Sequence, residues 1–483
     1  MKILLINPPA FNEITTQVSH DISDASSVQP PLGLMYISSM LLESGFNDVI
    51  IIDCQAEKLT YGELESRIRN EIPDIVGITA MTFTMTDVML TARLVKNIIP
   101  KSKIVLGGPH VDIYPNETIK LPEIDYAIIR EGEYPFLQLV RHIDHGKEHN
   151  CSNINNLLWK DCNGNIIFNN TTNKMNNYSI MPFPARNLTQ INRYYSIMTN
   201  NNPITTLITA KGCPYECIFC YKHYHKVSYR TPKNVVDEMF DIKEMGIREI
   251  FIVDDTFYVN PIIAMKICNE MIERKVDIPW GARARVNNIS EEMLAIFKKA
   301  GCNRLHIGVE SGNDMILSNL NKNITTKMAE KAFSLCHKYK IDTLAYFILG
   351  NPGETEREVE DTINFAKKLN PSFAQFSRMT PFPATKLYQM ALDRHIFEND
   401  YWKEYAINPY NKITPRYWTE HFSQNRLAEL VDYATRQFYV RPGYIFKSIS
   451  KIKGLQDLKR KTRTGVKLII SNTSNANKKL KMT

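Results

Sequence analysis

Nowhere does the chain carry an apolar run long enough to cross a bilayer, and its first apolar stretch, residues 3–6, is followed by Pro8 and Pro9 with no small-residue cleavage site behind it. Both absences argue against a membrane-spanning or exported protein, so a cytoplasmic location is expected. Cysteine is sparse and odd in number, nine in 483 residues, which excludes a disulfide framework. No G-x-G-x-x-G follows the first strand-like run, and with it goes the usual cradle for a dinucleotide. Excess positive charge is confined to one end: Arg441 to Thr483 holds twelve Lys or Arg against Asp457 alone, so the net +8 of the whole leaves the first 440 residues slightly acidic. No nucleic-acid reading module accompanies that tail, and no nucleic-acid partner is expected. Residues 441–452 combine apolar and lysine-rich faces in a pattern suited to peripheral contact with an anionic membrane, although a solvated tail accounts for the same composition.

What remains is ordinary for packed globular domains, 43% hydrophobic and 23% charged, in a chain too long for one core, so two or three domains are implied. Over residues 1–150 the apolar runs 3–6, 49–52, 75–78, 104–106 and 126–129 alternate with helical patterns. That order predicts an α/β domain built on a Rossmann-like, doubly wound parallel sheet. Ligands of such sheets lie beyond the carboxyl ends of the strands, which here carry Asn7, Pro8, Asp53, Thr79, Gly107, Gly108, His110 and Glu131. Residues 151–198 read as a connector with a hairpin about Asn163-Gly164. From 199 to 400, helical stretches separate six further strand runs, 205–209, 249–253, 281–285, 304–309, 343–349 and 374–379. A helical region with a basic tail occupies 401–483, dense in aromatics at Tyr401-Trp402, Tyr410, Tyr417-Trp418 and Phe438-Tyr439. These either pack helices together or cap the mouth of the second domain against water.

Three cysteines concentrate the chemistry. Cys213, Cys217 and Cys220 spell C-x3-C-x2-C directly after the apolar run 204–209. Iron-sulfur clusters are commonly held by four thiolates, so a compact set of three suggests a cubane with one iron open to another ligand. A zinc knuckle completed by His223 or His225 would use the same thiols, but such knuckles sit in small loop-rich modules and not at the head of a long α/β pattern. The other six, Cys54, Cys151, Cys162, Cys268, Cys302 and Cys336, are scattered singly and are expected to be small buried hydrophobes.

This spacing, with Phe219 just before the last cysteine, resembles the radical S-adenosylmethionine superfamily. Asn7-Pro8-Pro9, Pro30-Pro31-Leu32-Gly33-Leu34 and Val105-Leu106-Gly107-Gly108-Pro109-His110 lie ahead of it, and the whole order of parts resembles the cobalamin-binding branch of that superfamily over most of the chain. The resemblance implies a cobalamin domain, then a partial (β/α)6 barrel of TIM type with its site at the carboxyl face, then a C-terminal helical extension. It implies three cofactors: a [4Fe-4S] cluster with Cys213, Cys217 and Cys220 as its catalytic ligands, S-adenosylmethionine and cobalamin. Cobalamin would be held by Asn7, Pro8, Leu32, Gly33, Thr79, Gly107, Gly108, His110 and Glu131. No D-x-H-x-x-G marks a lower axial ligand, and His110 is a candidate for one beside a plain packing role. S-adenosylmethionine would meet Phe219, Asp254 or Asp255 through its ammonium, Arg283 or Arg285 through its carboxylate, and Glu310 of Gly308-Val309-Glu310-Ser311-Gly312. For each charged residue, a salt bridge fixing a barrel loop is the alternative. Tyr346, Gln375 and Arg378 are candidates for the substrate pocket.

The activity implied is methyl transfer to an unactivated carbon, with a 5'-deoxyadenosyl radical removing hydrogen and methylcobalamin delivering the methyl group. The same scaffold also supports a cyclase or another rearranging enzyme. A reading of another class is a non-catalytic cluster or zinc protein recruited by its basic tail. A small-molecule or lipid substrate and a low-potential electron donor of the flavodoxin or ferredoxin type are the implied partners.

Overall fold

A computed structural model describes residues 1–15, 27–172, 174–199 and 201–450, so most of the basic tail lies outside the described residues. Among the described residues, no helix is long and apolar enough to cross a membrane.

The first sheet orders its seven strands β2-β1-β3-β4-β5-β6-β7, with β1 at Ile3–Asn7, β2 at Val49–Asp53, β3 at Ile75–Thr79, β4 at Lys103–Gly107, β5 at Tyr126–Ile128, β6 at Leu157–Lys160 and β7 at Ile166–Phe168. β1 to β5 are mutually parallel. Their continuous apolar sequence follows from that arrangement, because helices cover both faces; Ile3, Leu4, Leu5 and Ile6 are all fully buried. The hairpin β6–β7 is more than a connector. It adds antiparallel to β5, burying Leu157, Leu158 and Trp159 and covering an edge that would otherwise expose unpaired backbone groups.

The second sheet has six parallel strands in the order β15-β14-β13-β12-β11-β8, an open barrel wound one neighbour at a time. They span Ile204–Leu207 (β8), Glu249–Ile252 (β11), Trp280–Arg285 (β12), Cys302–Glu310 (β13), Asp342–Leu349 (β14) and Phe373–Arg378 (β15). Alternation along these strands sorts two sets of side chains. Ile250, Ile252, Ala282, Ala284, Leu305, Ile307, Ala345 and Phe347 pack outward into one core with the surrounding helices. Glu249, Phe251, Arg283, Arg304, His306 and Tyr346 turn inward and line a cavity in the lumen.

The C-terminal aromatics are spent mainly on packing. Tyr401, Trp402, Tyr405 and Trp418 are almost wholly buried in a core that also holds Met85 and Val88 behind the first sheet and Ile218 of the cysteine loop. The backbone N–H of Thr86 donates to the Tyr405 hydroxyl at 3.0 Å within the same junction. Each buried aromatic contributes roughly 2–3 kcal/mol by removing apolar surface from water. The segment therefore cements the two domains together and fixes their relative position. Phe438 and Tyr439 pack on the outside of the barrel instead, and the Tyr439 hydroxyl donates to the Ala374 carbonyl at 2.8 Å.

Candidate active site

A small antiparallel clasp fixes the cysteine loop. β9 (Ala210–Lys211) pairs with β10 (Ser228–Tyr229), and between them the N–H of Cys213 donates to the Tyr224 carbonyl at 3.0 Å. Gly212 turns the chain at φ +98°, where a Cβ would collide with the Lys226 carbonyl, so only glycine fits. Farther along, the N–H of Ile218 donates to the Leu320 carbonyl and the N–H of Leu387 donates to the Ile218 carbonyl. Cys213 and Cys217 are half-buried and Cys220 is exposed, whereas Cys54, Cys151, Cys268, Cys302 and Cys336 are buried as expected. Cys162 departs from that expectation: it is exposed, because the tight hairpin between β6 and β7 carries it out to solvent.

Among the described residues, no group of three His, Cys, Asp or Glu converges on a single-ion position. His223 pairs with Asp112 at 2.7 Å and His225 with Glu216 at 2.8 Å, so neither histidine completes a zinc site with the thiols. Three thiols within eight residues, near enough for Cys217 and Cys213 to act on the Cys220 charge, suit a polynuclear cluster. Although Cys220 reaches the surface, the protein packed around its sulfur withholds solvation and pushes the thiol up to about 11, with Cys217, Cys213 and the Asp255 carboxylate adding to it. Cationic iron is what such a set needs to hold three thiolates together.

Arg285, 5% exposed at the end of β12, donates from Nη1 to the Cys217 sulfur at 3.3 Å and lies over the Tyr215 ring at 4.0 Å. Its Nε and Nη2 are buried without a partner, which is a donor pair waiting for an acceptor beside the cysteines. Of the two aspartates, Asp255 is exposed on the cysteine side. Asp254 is buried and taken up by Thr209, whose backbone N–H donates to it at 2.7 Å and whose hydroxyl also donates. The expectation that Asp254 could serve a ligand ammonium is thereby corrected: its oxygens close the end of β8. Glu310 sits at φ +72°, where the β13–β14 register shifts, and pairs with Lys322 at 2.5 Å. The Lys322 ammonium stands 5.7 Å above the Phe219 ring. Lys322 lies in a loop with no pattern to mark it in the sequence.

A cavity of about 390 Å³ opens at the carboxyl ends of β1, β3, β4 and β5. Asn7, Leu32, Gly33, Thr79, Gly107, Gly108 and Glu131 all line it. A Cβ on Gly33 would meet nothing within 4 Å, and one on Gly107 only the Ile128 carbonyl at 3.9 Å, so both glycines leave space that a large flat ligand can use. Pro8 and His110 do not line it. Pro8 is buried, its carbonyl accepting from Gln55 at 3.1 Å. His110 is fully buried against Tyr114, with Nδ1 3.2 Å from the Thr82 hydroxyl, and burial holds its pKa down at about 3. It is a neutral core histidine and not an axial ligand in waiting. The far wall comes from the other domain: Lys211, His223 and Tyr224, on either side of the three cysteines, close the same cavity. Lys211 pairs with Glu131 at 2.7 Å across the junction.

Of the pocket candidates on the last two strands, Tyr346 lines the lumen cavity, with His306 Nδ1 at 3.0 Å from its hydroxyl. Gln375 pairs in register with Tyr346 but does not line the cavity. Arg378 lies over the Tyr417 ring at 3.9 Å, held by cation–π attraction away from the lumen. Arg283 also faces the lumen, one pleat below Arg285, and not the cysteines. Arg304 and His306 were missed in the sequence. The signal that could have found them is polar residues at every second place on β13.

Residues 207–366 match the radical SAM superfamily and residues 21–140 the B12 binding domain. The chain is 34% identical over 460 residues to an uncharacterized methyltransferase of Pyrococcus horikoshii, spanning 94% of this chain and 96% of that protein. It is 27% identical over 434 residues to the anaerobic magnesium-protoporphyrin IX monomethyl ester cyclase of Rubrivivax gelatinosus, spanning 88% of this chain and 76% of that one. In fold it is similar to TsrM, a radical S-adenosylmethionine methyltransferase from Kitasatospora setae solved with cobalamin and a [4Fe-4S] cluster. The TM-score is 0.73 at 17% identity, over 97% of this chain and 99% of that one.

Proposed function

Because this chain belongs to the cobalamin-binding radical S-adenosylmethionine enzymes, we propose that it is a methyltransferase acting on an unactivated carbon of a small molecule. One observation carries the reading: residues flanking the three cysteines, Lys211, His223 and Tyr224, wall the cavity at the strand ends of the first domain. A ligand in that cavity abuts the cysteine loop, which is the proximity that transfer between two cofactors needs. When bound, the cluster with S-adenosylmethionine supplies a hydrogen-abstracting 5'-deoxyadenosyl radical, and cobalamin supplies a methyl carrier.

The chain's own residues bind and orient. Cys213, Cys217 and Cys220 would hold the cluster through three thiolates. Asp255 stands on that side to receive an ammonium. Arg285 offers its two unpartnered donors to a carboxylate, and stacking on Tyr215 fixes their direction. Lys322 holds Glu310 in its left-handed turn and brings a cation close to Phe219. Asn7, Gly33, Thr79, Gly107, Gly108 and Glu131 form the bed for the corrinoid, and the aromatic junction of Trp402 and Trp418 keeps the two beds in register. A low-potential flavodoxin- or ferredoxin-type donor supplies the electrons.

Anaerobic reconstitution with iron, sulfide and hydroxocobalamin, followed by reduction with S-adenosylmethionine, tests this by chromatography. Deoxyadenosine together with S-adenosylhomocysteine is expected. Deoxyadenosine alone with cobalamin retained would replace methyl transfer by the cyclase type of chemistry, which the 27% relative favours. The absence of both products would refute the reading.

A further inference from the structure

The lumen of the barrel holds a second cavity, of about 160 Å³, below the level of the cysteines. Its walls are unusually polar for a barrel interior, and the hydrogen bonds there run in one direction. Glu249 is the carboxylate lining it, and its oxygens are spent: Oε1 accepts from Arg304 Nη2 at 2.9 Å, while Oε2 accepts from Thr199, Asn201 and Asn303 at 2.5, 3.1 and 2.9 Å. Arg304 then donates from Nε to His306 Nε2 at 3.1 Å. A guanidinium has no acceptor, so His306 Nε2 must be the unprotonated nitrogen. The remaining nitrogen, Nδ1, therefore carries the proton and donates it to the Tyr346 hydroxyl at 3.0 Å. With its oxygen already accepting, Tyr346 is left with its own O–H to give. Burial raises its pKa, so that proton stays on.

Arg283 faces the same space. It is the register partner of His306, donates from Nη1 to the Val253 carbonyl at 3.1 Å, and forms no ion pair among the described residues. The cavity thus presents the N–H groups of Arg283 and the O–H of Tyr346, both donors, with its carboxylate neutralised and its histidine uncharged. Burial first, then the charges of Arg304 and Arg283, hold His306 well below its ordinary pKa. A cationic group entering would face the Arg283 guanidinium, and a neutral carbonyl would accept from these donors but leave that charge without a counterion; an anion with two oxygens meets both donors and pairs the charge.

We propose that this lumen cavity seats the anionic head group, a carboxylate or phosphonate, of the acceptor substrate, with Arg283 and the Tyr346 hydroxyl as its ligands. Glu249, Arg304 and His306 are positioning residues that aim the Tyr346 proton. This rests on the methyltransferase reading, since it places the acceptor beneath the radical-generating site: two residues of strand separate Arg283 from Arg285, about 7 Å.

The test is ligand-observed NMR titration of the anaerobic holoenzyme with acetate, methylphosphonate and acetamide. Saturable binding of both anions is expected, with acetamide at least tenfold weaker because it carries no charge to pair with Arg283. Arg283→Gln and Tyr346→Phe should each weaken acetate about tenfold while iron and cobalamin content stay at the wild-type level. His306→Gln should weaken acetate in the wild-type background and add nothing to Tyr346→Phe, a non-additivity that a merely structural role would not produce. Equal affinity for acetamide, or unchanged acetate affinity in Arg283→Gln, would overturn the proposal. So would competition between S-adenosylmethionine and acetate accompanied by weakened S-adenosylmethionine binding in Arg283→Gln, which would assign Arg283 to the cosubstrate. Wild-type protein that makes deoxyadenosine but binds no acetate refutes the head-group site alone; one that binds acetate but makes no deoxyadenosine refutes the methyltransferase reading alone.

Discussion

Glu238→Gln should destabilise the barrel by several kcal/mol without touching any ligand site. Glu238 is fully buried on the helix Pro232–Glu244, and its two oxygens serve two buried guanidiniums: Oε1 accepts from Arg186 Nη2 at 2.6 Å and Oε2 from Arg230 Nη1. Arg186 also donates to the Thr206 carbonyl and Arg230 to the Ile208 carbonyl, both at 2.8 Å. The triad thus ties the connector and the strand after the cysteine loop to β8, the strand that leads into Cys213. Glutamine has the same shape but one acceptor oxygen, and its amide NH2 would face a guanidinium, donor against donor. Breaking a buried pair by removing one partner costs about 3–5 kcal/mol because a charge is left uncompensated. Here two cations lose one anion, which points to the upper end of that range. Burial alone would raise the Glu238 pKa, but Arg186 and Arg230 outweigh it and hold it below the ordinary carboxylate value. A group depressed in the folded state contributes stability that is present above its unfolded pKa and lost as pH falls through the folded one. The difference between wild type and variant in urea denaturation should therefore be constant from about pH 8 to pH 5 and shrink only in stronger acid. A difference under about 1 kcal/mol at pH 7, or one that widens on acidification, would refute the reasoning.

Asp254→Asn should flatten the pH dependence of stability. Burial raises the Asp254 pKa to about 7 in spite of the bonds from Thr209, so the folded state keeps a proton that the unfolded chain releases, and wild-type stability falls as pH rises toward that value. Melting temperatures of both proteins across pH 5–8 check this; parallel curves would contradict it. Gly33→Phe should fill open space at the start of the helix Leu32–Glu43 and abolish cobalamin retention while the iron content is unchanged, as read by absorbance and metal analysis. Cys217→Ala should do the reverse, losing most of the cluster iron and all deoxyadenosine while cobalamin remains; full deoxyadenosine production would sink the cysteine assignment.

The parallel strands were legible because each is an apolar run between helical patterns, and burial on both faces demands that composition. The three cysteines were legible because their ligand spacing lies within eight residues of sequence. Gly33, Thr79, Gly107 and Glu131 were legible for a topological reason, since they end strands or open helices on the face where a doubly wound sheet binds. What could not be read was direction and partnership. Asp254 and Asp255 are adjacent, and only the packed loop decides that one closes β8 on Thr209 while the other faces the thiols. His110 lies in the short helix Pro109–Ile113, which starts right after the cavity-lining Gly107 and Gly108, yet its ring turns into the core. Arg283 and Arg285 share one side of β12, but the rise of the strand gives one to the lumen and the other to Cys217. The role of the C-terminal aromatics, in cementing two domains, depends on surfaces more than 300 residues apart meeting, as Thr86 and Tyr405 do. By itself the sequence determined which chemistries the chain can hold, because local spacing and strand periodicity survive without a fold. The tertiary structure alone decided which side chains are free to use them, because a buried polar atom must find its partner wherever the packing puts one.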